Sequence, residues 1–119
     1  MPIQLMKTLK GLDGKPLEIG VEGKDREDLT VRAAIKLALL EGSMFAQQKN
    51  ELKEKEKLDA YMLAREITPE GVKEYSFESE ETTMIKKFAY LRWPTEFYGA
   101  LVGEIDPAML KDKDASKPD

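Results

Sequence analysis

Leu29-Thr30-Val31-Arg32-Ala33-Ala34-Ile35-Lys36-Leu37-Ala38-Leu39-Leu40-Glu41-Gly42 is the stretch on which the fold of this chain turns. At about 100° per residue it is apolar on nearly every side, with Arg32 and Lys36 forming a narrow polar stripe, so it is expected to be a buried helix. Thr30 is placed to cap its start, because a threonine hydroxyl accepts a bond from a free first-turn amide. Gly42 is placed to end it in the left-handed conformation. Projected end on, the helix has two apolar faces: Val31, Ala34, Ile35 and Ala38 make one, and Ala33, Leu37 and Leu40 the other. A small domain can cover one face fully and the other in part. The same surface of a second copy would cover the rest, so a homodimer or higher homo-oligomer is expected, with Ala33, Leu37 and Leu40 at its interface.

Upstream of this helix, Asp13-Gly14 is a tight-turn signal between two short apolar stretches. Gln4 to Leu9 and Pro16 to Ile19 are therefore expected to pair as a hairpin. Gly20 to Asp28 is polar, carries two glycines and reads as a loop, its acidic end lying next to the positive dipole end of the helix.

Downstream, Leu58, Tyr61, Met62 and Arg65 follow a three-four spacing and predict a second helix over at least Lys53 to Glu66, ended by Thr68-Pro69-Glu70-Gly71. Val72 to Phe77 is a short β-favouring run with Tyr75 and Phe77 on one side. Ser79 is the expected cap of a third helix, with Glu80 and Glu81 in its first turn and Met84, Ile85, Phe88 and Leu91 or Arg92 on its buried stripe. Pro94 cannot continue that helix but suits the first turn of a fourth, reaching Ile105 and burying Phe97 or Tyr98, Leu101, Val102 and Ile105. The expected architecture is a helix-dominated α+β domain over residues 1–106: an N-terminal β-hairpin, four helices and one short strand. The polar remainder, 107–119, is expected to be a mobile tail.

Composition narrows the function classes. The chain has 119 residues, neither cysteine nor histidine, and a formal net charge of −4. One domain is the natural reading of that length. Without cysteine there is no thiolate nucleophile, and without histidine the usual general base near neutral pH and the commonest transition-metal ligand are both missing. The acidic balance argues against gripping a phosphate backbone, so nucleic acid is not the expected primary ligand. No apolar run approaches the roughly 18 residues needed to span a bilayer, and Met1-Pro2-Ile3-Gln4 lacks the layout of a secretory signal, so no membrane partner and a cytoplasmic location are expected.

Few residues point to chemistry. Gly20-Val21-Glu22-Gly23-Lys24 has the wrong glycine spacing for a nucleotide loop, and Asp25 stands where a hydroxyl residue is needed. Asp25, Glu27 and Asp28, and Glu78, Glu80 and Glu81, offer oxygen ligands for Mg²⁺ or Ca²⁺, but helix-end electrostatics explains both groups more economically. Five of the nine aromatics fall between Phe88 and Tyr98. Aromatic residues and arginine dominate binding hot spots, which makes Tyr90, Arg92, Trp93 and Phe97 the candidate protein-binding site; the competing reading is that a corner between two helices is filled by large side chains.

In order, the segments LKGLDGKPL, LTVRAAIKLALLEG, EKEKLDAYMLAREI and IKKFAYLRWPTEFYGALVGEID resemble a group of small proteins of tailed bacteriophages and prophages. The likeness spans about Leu9 to Asp106, with Gly20 to Asp28 and Gln47 to Leu52 as departures. It rests on packing patterns and caps, implies a fold, and carries over no catalytic residue. The expected function is that of a non-enzymatic phage or prophage accessory protein that binds another protein, as a virion or tail assembly chaperone or as a modulator of a host protein. No cofactor is expected. A metal-dependent hydrolase using acidic residues and a nucleic-acid-binding regulator are the alternatives.

Overall fold

The central helix starts where Thr30 places it. In the computed structural model, which describes residues 2–21 and 24–110, Thr30 has extended backbone and its hydroxyl accepts from the Ala33 amide at 3.2 Å. The two preceding amides are met by the incoming chain, Val31 N–H donating to Lys7 O at 2.8 Å and Arg32 N–H to Leu5 O at 2.9 Å. A buried helix start needs such partners, because its first amides have none within the helix.

The helix does not stop at Gly42. Helix α1 (Val31–Leu37) runs into a π-helical turn (Ala38–Gly42) and then into α2 (Ser43–Gln48), and Gly42 keeps a right-handed φ of −62°. Glycine is there for space: a Cβ at Gly42 would lie 2.2 Å from the carbonyl oxygen of Phe88 on a neighbouring helix. The left-handed stop comes eight residues later at Asn50, with φ 59°. Glu51 N–H closes the end by donating to Ala46 O at 2.8 Å, and Asn50 N–H donates to Gln47 O at 3.0 Å, which is the bond pattern of a Schellman cap.

The other helices are α3 (Glu54–Ile67), α4 (Ser79–Arg92) and α5 (Thr95–Ile105). The backbone amide of Lys53 donates to Glu56 at the start of α3, and that of Glu78 to Glu81 at the start of α4, so the cap of α4 is Glu78 rather than Ser79. Residues 107–110 add a helical turn, with Leu110 against Gly103; the rest of the expected tail, 111–119, lies outside the described residues.

The β-structure is arranged differently from the sequence expectation. The Asp13-Gly14 turn forms, with Gly14 at φ +82°, but it joins only a single bridge between Lys10 and Pro16. The longer hairpin lies in the stretch read as a loop: β2 (Glu18–Val21) pairs antiparallel with β3 (Lys24–Asp28). Asp25, Glu27 and Asp28 therefore lie on a strand and not in a loop. A second, two-stranded sheet joins β1 (Ile3–Gln4) to β4 (Glu74–Tyr75), the short strand expected before the third helix. Three buried leucines tie these pieces together in a ring: Leu17 N–H donates to Leu9 O, Leu29 N–H to Leu17 O and Leu9 N–H to Leu29 O, at 2.9, 2.7 and 2.8 Å.

The architecture is helix-dominated α+β. The core wraps the central helix, with Val31, Ala34, Ile35, Ala38 and Leu39 buried against Leu63, Ile67, Ile85, Phe88 and Leu101. Burying a large aliphatic or aromatic side chain contributes about 1.5–3 kcal/mol, so these contacts dominate the stability. Arg32 leaves the core sideways: its guanidinium donates to the Val72 carbonyl, fixing the loop before β4. No helix among the described residues is long and apolar enough to cross a membrane.

Candidate protein-binding face

Helix α3 has two apolar stripes. Ala60, Leu63, Ala64 and Ile67 face the core, and small Ala60 and Ala64 let the helix approach closely. Leu58, Tyr61 and Met62, which with Arg65 had announced the helix in the sequence, point outward and stay 55, 57 and 50 % exposed. Arg65 lies over the Tyr61 ring with its guanidinium carbon 5.9 Å from the centroid. Three large side chains at helical spacing on the outside of a helix whose inner face is already packed are what a protein contact requires.

Beside this stripe runs a groove of about 630 Å³ between α3 and the first half of α4, lined also by Tyr75 and Ser76. Met62, Leu63 and Met84 supply its apolar lining. Six carboxylates (Glu56, Asp59, Glu66, Glu78, Glu80 and Glu81) line it against two lysines, Lys55 and Lys87, an excess as large as the net charge of the whole chain. Lys87 bonds Glu56 at 2.8 Å across the groove and Lys55 bonds Asp59 at 3.1 Å along α3. The Lys87 ammonium, with the Lys53 amide, holds the Glu56 carboxyl below its usual range. The Tyr75 phenol is pushed up, first by burial and then by Glu81, Glu66 and Glu78. Among the described residues no three acidic side chains are placed to hold a metal ion together.

On the other side of α4 is a shallower depression of about 560 Å³, lined by Tyr90, Leu91, Tyr98 and Met109 with Lys49, Lys86 and Lys87. Tyr90 is 72 % exposed, and its ring meets that of Tyr98 edge to face at 5.9 Å. Thr83 and Lys87 border both depressions, so α4 stands between them as a ridge.

The four aromatic-cluster residues are divided by the structure. Trp93 is 6 % exposed, and its indole N–H donates to Ala34 O at 3.1 Å. Phe97 stacks on it with ring centroids 5.5 Å apart and an interplanar angle of 12°. Arg92 lies over the indole at 4.3 Å and pairs with Glu41 at 2.5 Å. These three form one packed corner between α4, α5 and the central helix. Tyr90, on the far side of α4, is the member of the cluster that reaches the surface. Of the second face of the central helix, Ala33 and Leu37 pack against the core of their own chain, and Leu40 is 39 % exposed.

The outward stripe of α3 was missed because periodicity detects a stripe without giving its direction. The signal that finds it is the second stripe, Ala60-Leu63-Ala64-Ile67, with its two small residues suited to close packing. The groove itself joins residues about twenty positions apart and has no local signature. No known protein family, curated protein or solved structure matches this chain.

Proposed function

We propose that this chain is a non-enzymatic accessory protein of a phage or prophage, working in the cytoplasm of its cell as a homo-oligomer and acting by binding another protein through the outer face of α3. The observation that carries the reading is the exposure of Leu58, Tyr61 and Met62 on a helix whose opposite face is buried. Burying them against a partner would cover three neighbouring large side chains that the chain leaves exposed, and a tyrosine flanked by aliphatic side chains and arginine has the composition of a hot spot. The phage assignment is supported by the order of its sequence segments. An assembly chaperone and a modulator of a host protein are the two forms this role takes.

A photo-crosslinking benzoylphenylalanine at Tyr61, activated in the cells that express the protein, tests the reading. A discrete adduct with a different chain, lost when Leu58 is also changed to serine, is the expected result, and the identity of that chain separates assembly from host interference. The same adducts from a probe at Lys10, exposed on the N-terminal turn, would overturn it.

A further inference from the structure

The apolar lining of the α3–α4 groove is largely methionine. Met62 comes from α3 and is half exposed, Met84 comes from α4 and is partly buried, and buried Leu63 lies with them. An unbranched thioether side chain reshapes itself around an incoming apolar group, which suits such a floor to a side chain supplied from outside. Met62 also belongs to the outward stripe of α3, so it connects the groove to Leu58 and Tyr61. The charge of the walls then decides what kind of chain fits. Lys87 is taken up by Glu56 and Lys55 by Asp59, while Glu66, Glu78, Glu80 and Glu81 make no ion pair among the described residues. Three of these four act on one group: after burial itself, Glu81, Glu66 and Glu78 push the Tyr75 phenol up. Among the described residues no three acids are placed to share a metal ion. Carboxylates spread in this way are matched by several cations spaced along a chain.

We propose that the groove seats a basic amphipathic segment of the partner protein, with an apolar side chain against Met62 and Met84 and flanking lysine or arginine side chains against the carboxylates of α3 and α4. The proposal rests on the partner-binding reading of α3 and names the chemistry of that partner. A second copy related by a twofold axis would bring the same acidic groove, and a nucleic acid or an anionic membrane would bring phosphates. The sign of the groove opposes all three.

Fluorescence anisotropy of the full chain with labelled synthetic peptides tests this. Each peptide carries the same leucine stripe at helical spacing, and its other positions are lysine and arginine, glutamine, or glutamate. The basic peptide should bind at micromolar concentration, the glutamine peptide roughly tenfold more weakly and the glutamate peptide not measurably, with added salt weakening the basic peptide alone. Glu66 and Glu80 are exposed and make no hydrogen bond or ion pair among the described residues, so changing both to glutamine removes two groove charges without breaking a contact of the fold. That double variant should weaken the basic peptide on the order of tenfold. Glu27→Gln with Asp28→Asn takes the same charge from exposed positions on β3 and should leave binding unchanged. No binding of the basic peptide, equal binding of the glutamine peptide, or an equal loss from the β3 variant would each overturn the proposal. Crosslinking from position 61 separates it from the reading it rests on, because the adduct should fade when Glu66 and Glu80 are changed. An adduct kept at full strength there would overturn the basic segment and leave partner binding at the α3 face standing.

Discussion

Trp93 joins three parts of the chain through one ring. Its indole N–H satisfies a carbonyl of the central helix, one face is covered by Phe97 and Arg92 lies over the ring. Removing it would open a large cavity and leave Ala34 O with only the Ala38 amide as donor, so Trp93→Ala should cost about 3–5 kcal/mol in urea unfolding. Trp93→Phe retains a ring for Phe97 to stack on but loses the hydrogen bond, and should cost distinctly less. Equal losses in the two variants would show that the indole N–H carries the site. The sequence marks this corner as aromatic, but it does not distinguish Trp93 from Tyr90. Tyr90 lies within α4 and faces out, whereas Trp93 is the residue that ends the helix with an extended backbone, and that departure carries its ring into the core.

At the scale of elements, α3 and the central helix pose the same problem, since each carries apolar residues on two sides. For α3 the inner and outer stripes should separate cleanly on substitution. Leu63→Ala should cost about 2–5 kcal/mol, whereas Tyr61→Ser should change stability by less than about 1 kcal/mol. Comparable losses at the two positions would mean that the outer stripe is covered within the chain. The element boundaries that the sequence shows well are those set by nearby atoms: the Thr30 cap, the Asp13-Gly14 turn and the break after Ile67. Gly42 is the informative exception. Glycine favours a helix end when nothing else acts on it, but here the approach of Phe88 uses its missing side chain, and the helix continues to a left-handed residue at Asn50. The pairing of residues 18–21 with 24–28 was hidden for a related reason, since a highly charged strand has no apolar alternation to announce it.

Across the whole molecule, the acidic groove holds a carboxyl whose titration is coupled to folding. Lys87 and the Lys53 amide lower the Glu56 carboxyl in the folded chain. A carboxyl whose pKa is depressed by folding adds stability above its unfolded value, here about 4.5, and that stability is lost as pH falls through the lower folded value. The pair is substantially exposed, so its contribution is about 0.5 kcal/mol after screening. Glu56→Gln, which keeps an oxygen for the Lys53 amide, should therefore be less stable than the parent at pH 7, and the difference should shrink in urea titrations as pH falls below the usual carboxylate range. A constant difference across that range would assign the effect to packing. What the sequence by itself determined is local: helix-dominated α+β character, the positions of α1, α3, α4 and α5, the Thr30 cap and the Asp-Gly turn, all decided by interactions spanning a few residues. Only the tertiary structure decided which apolar stripe of α3 turns inward, that Gly42 serves a helix crossing, that β1 pairs with β4, and that carboxylates from α3 and α4 share one groove. The physical reason is that two stripes of similar apolarity differ little in transfer free energy. How closely their small and large side chains allow neighbouring helices to approach then decides between them, and that distance exists only once the chain has folded.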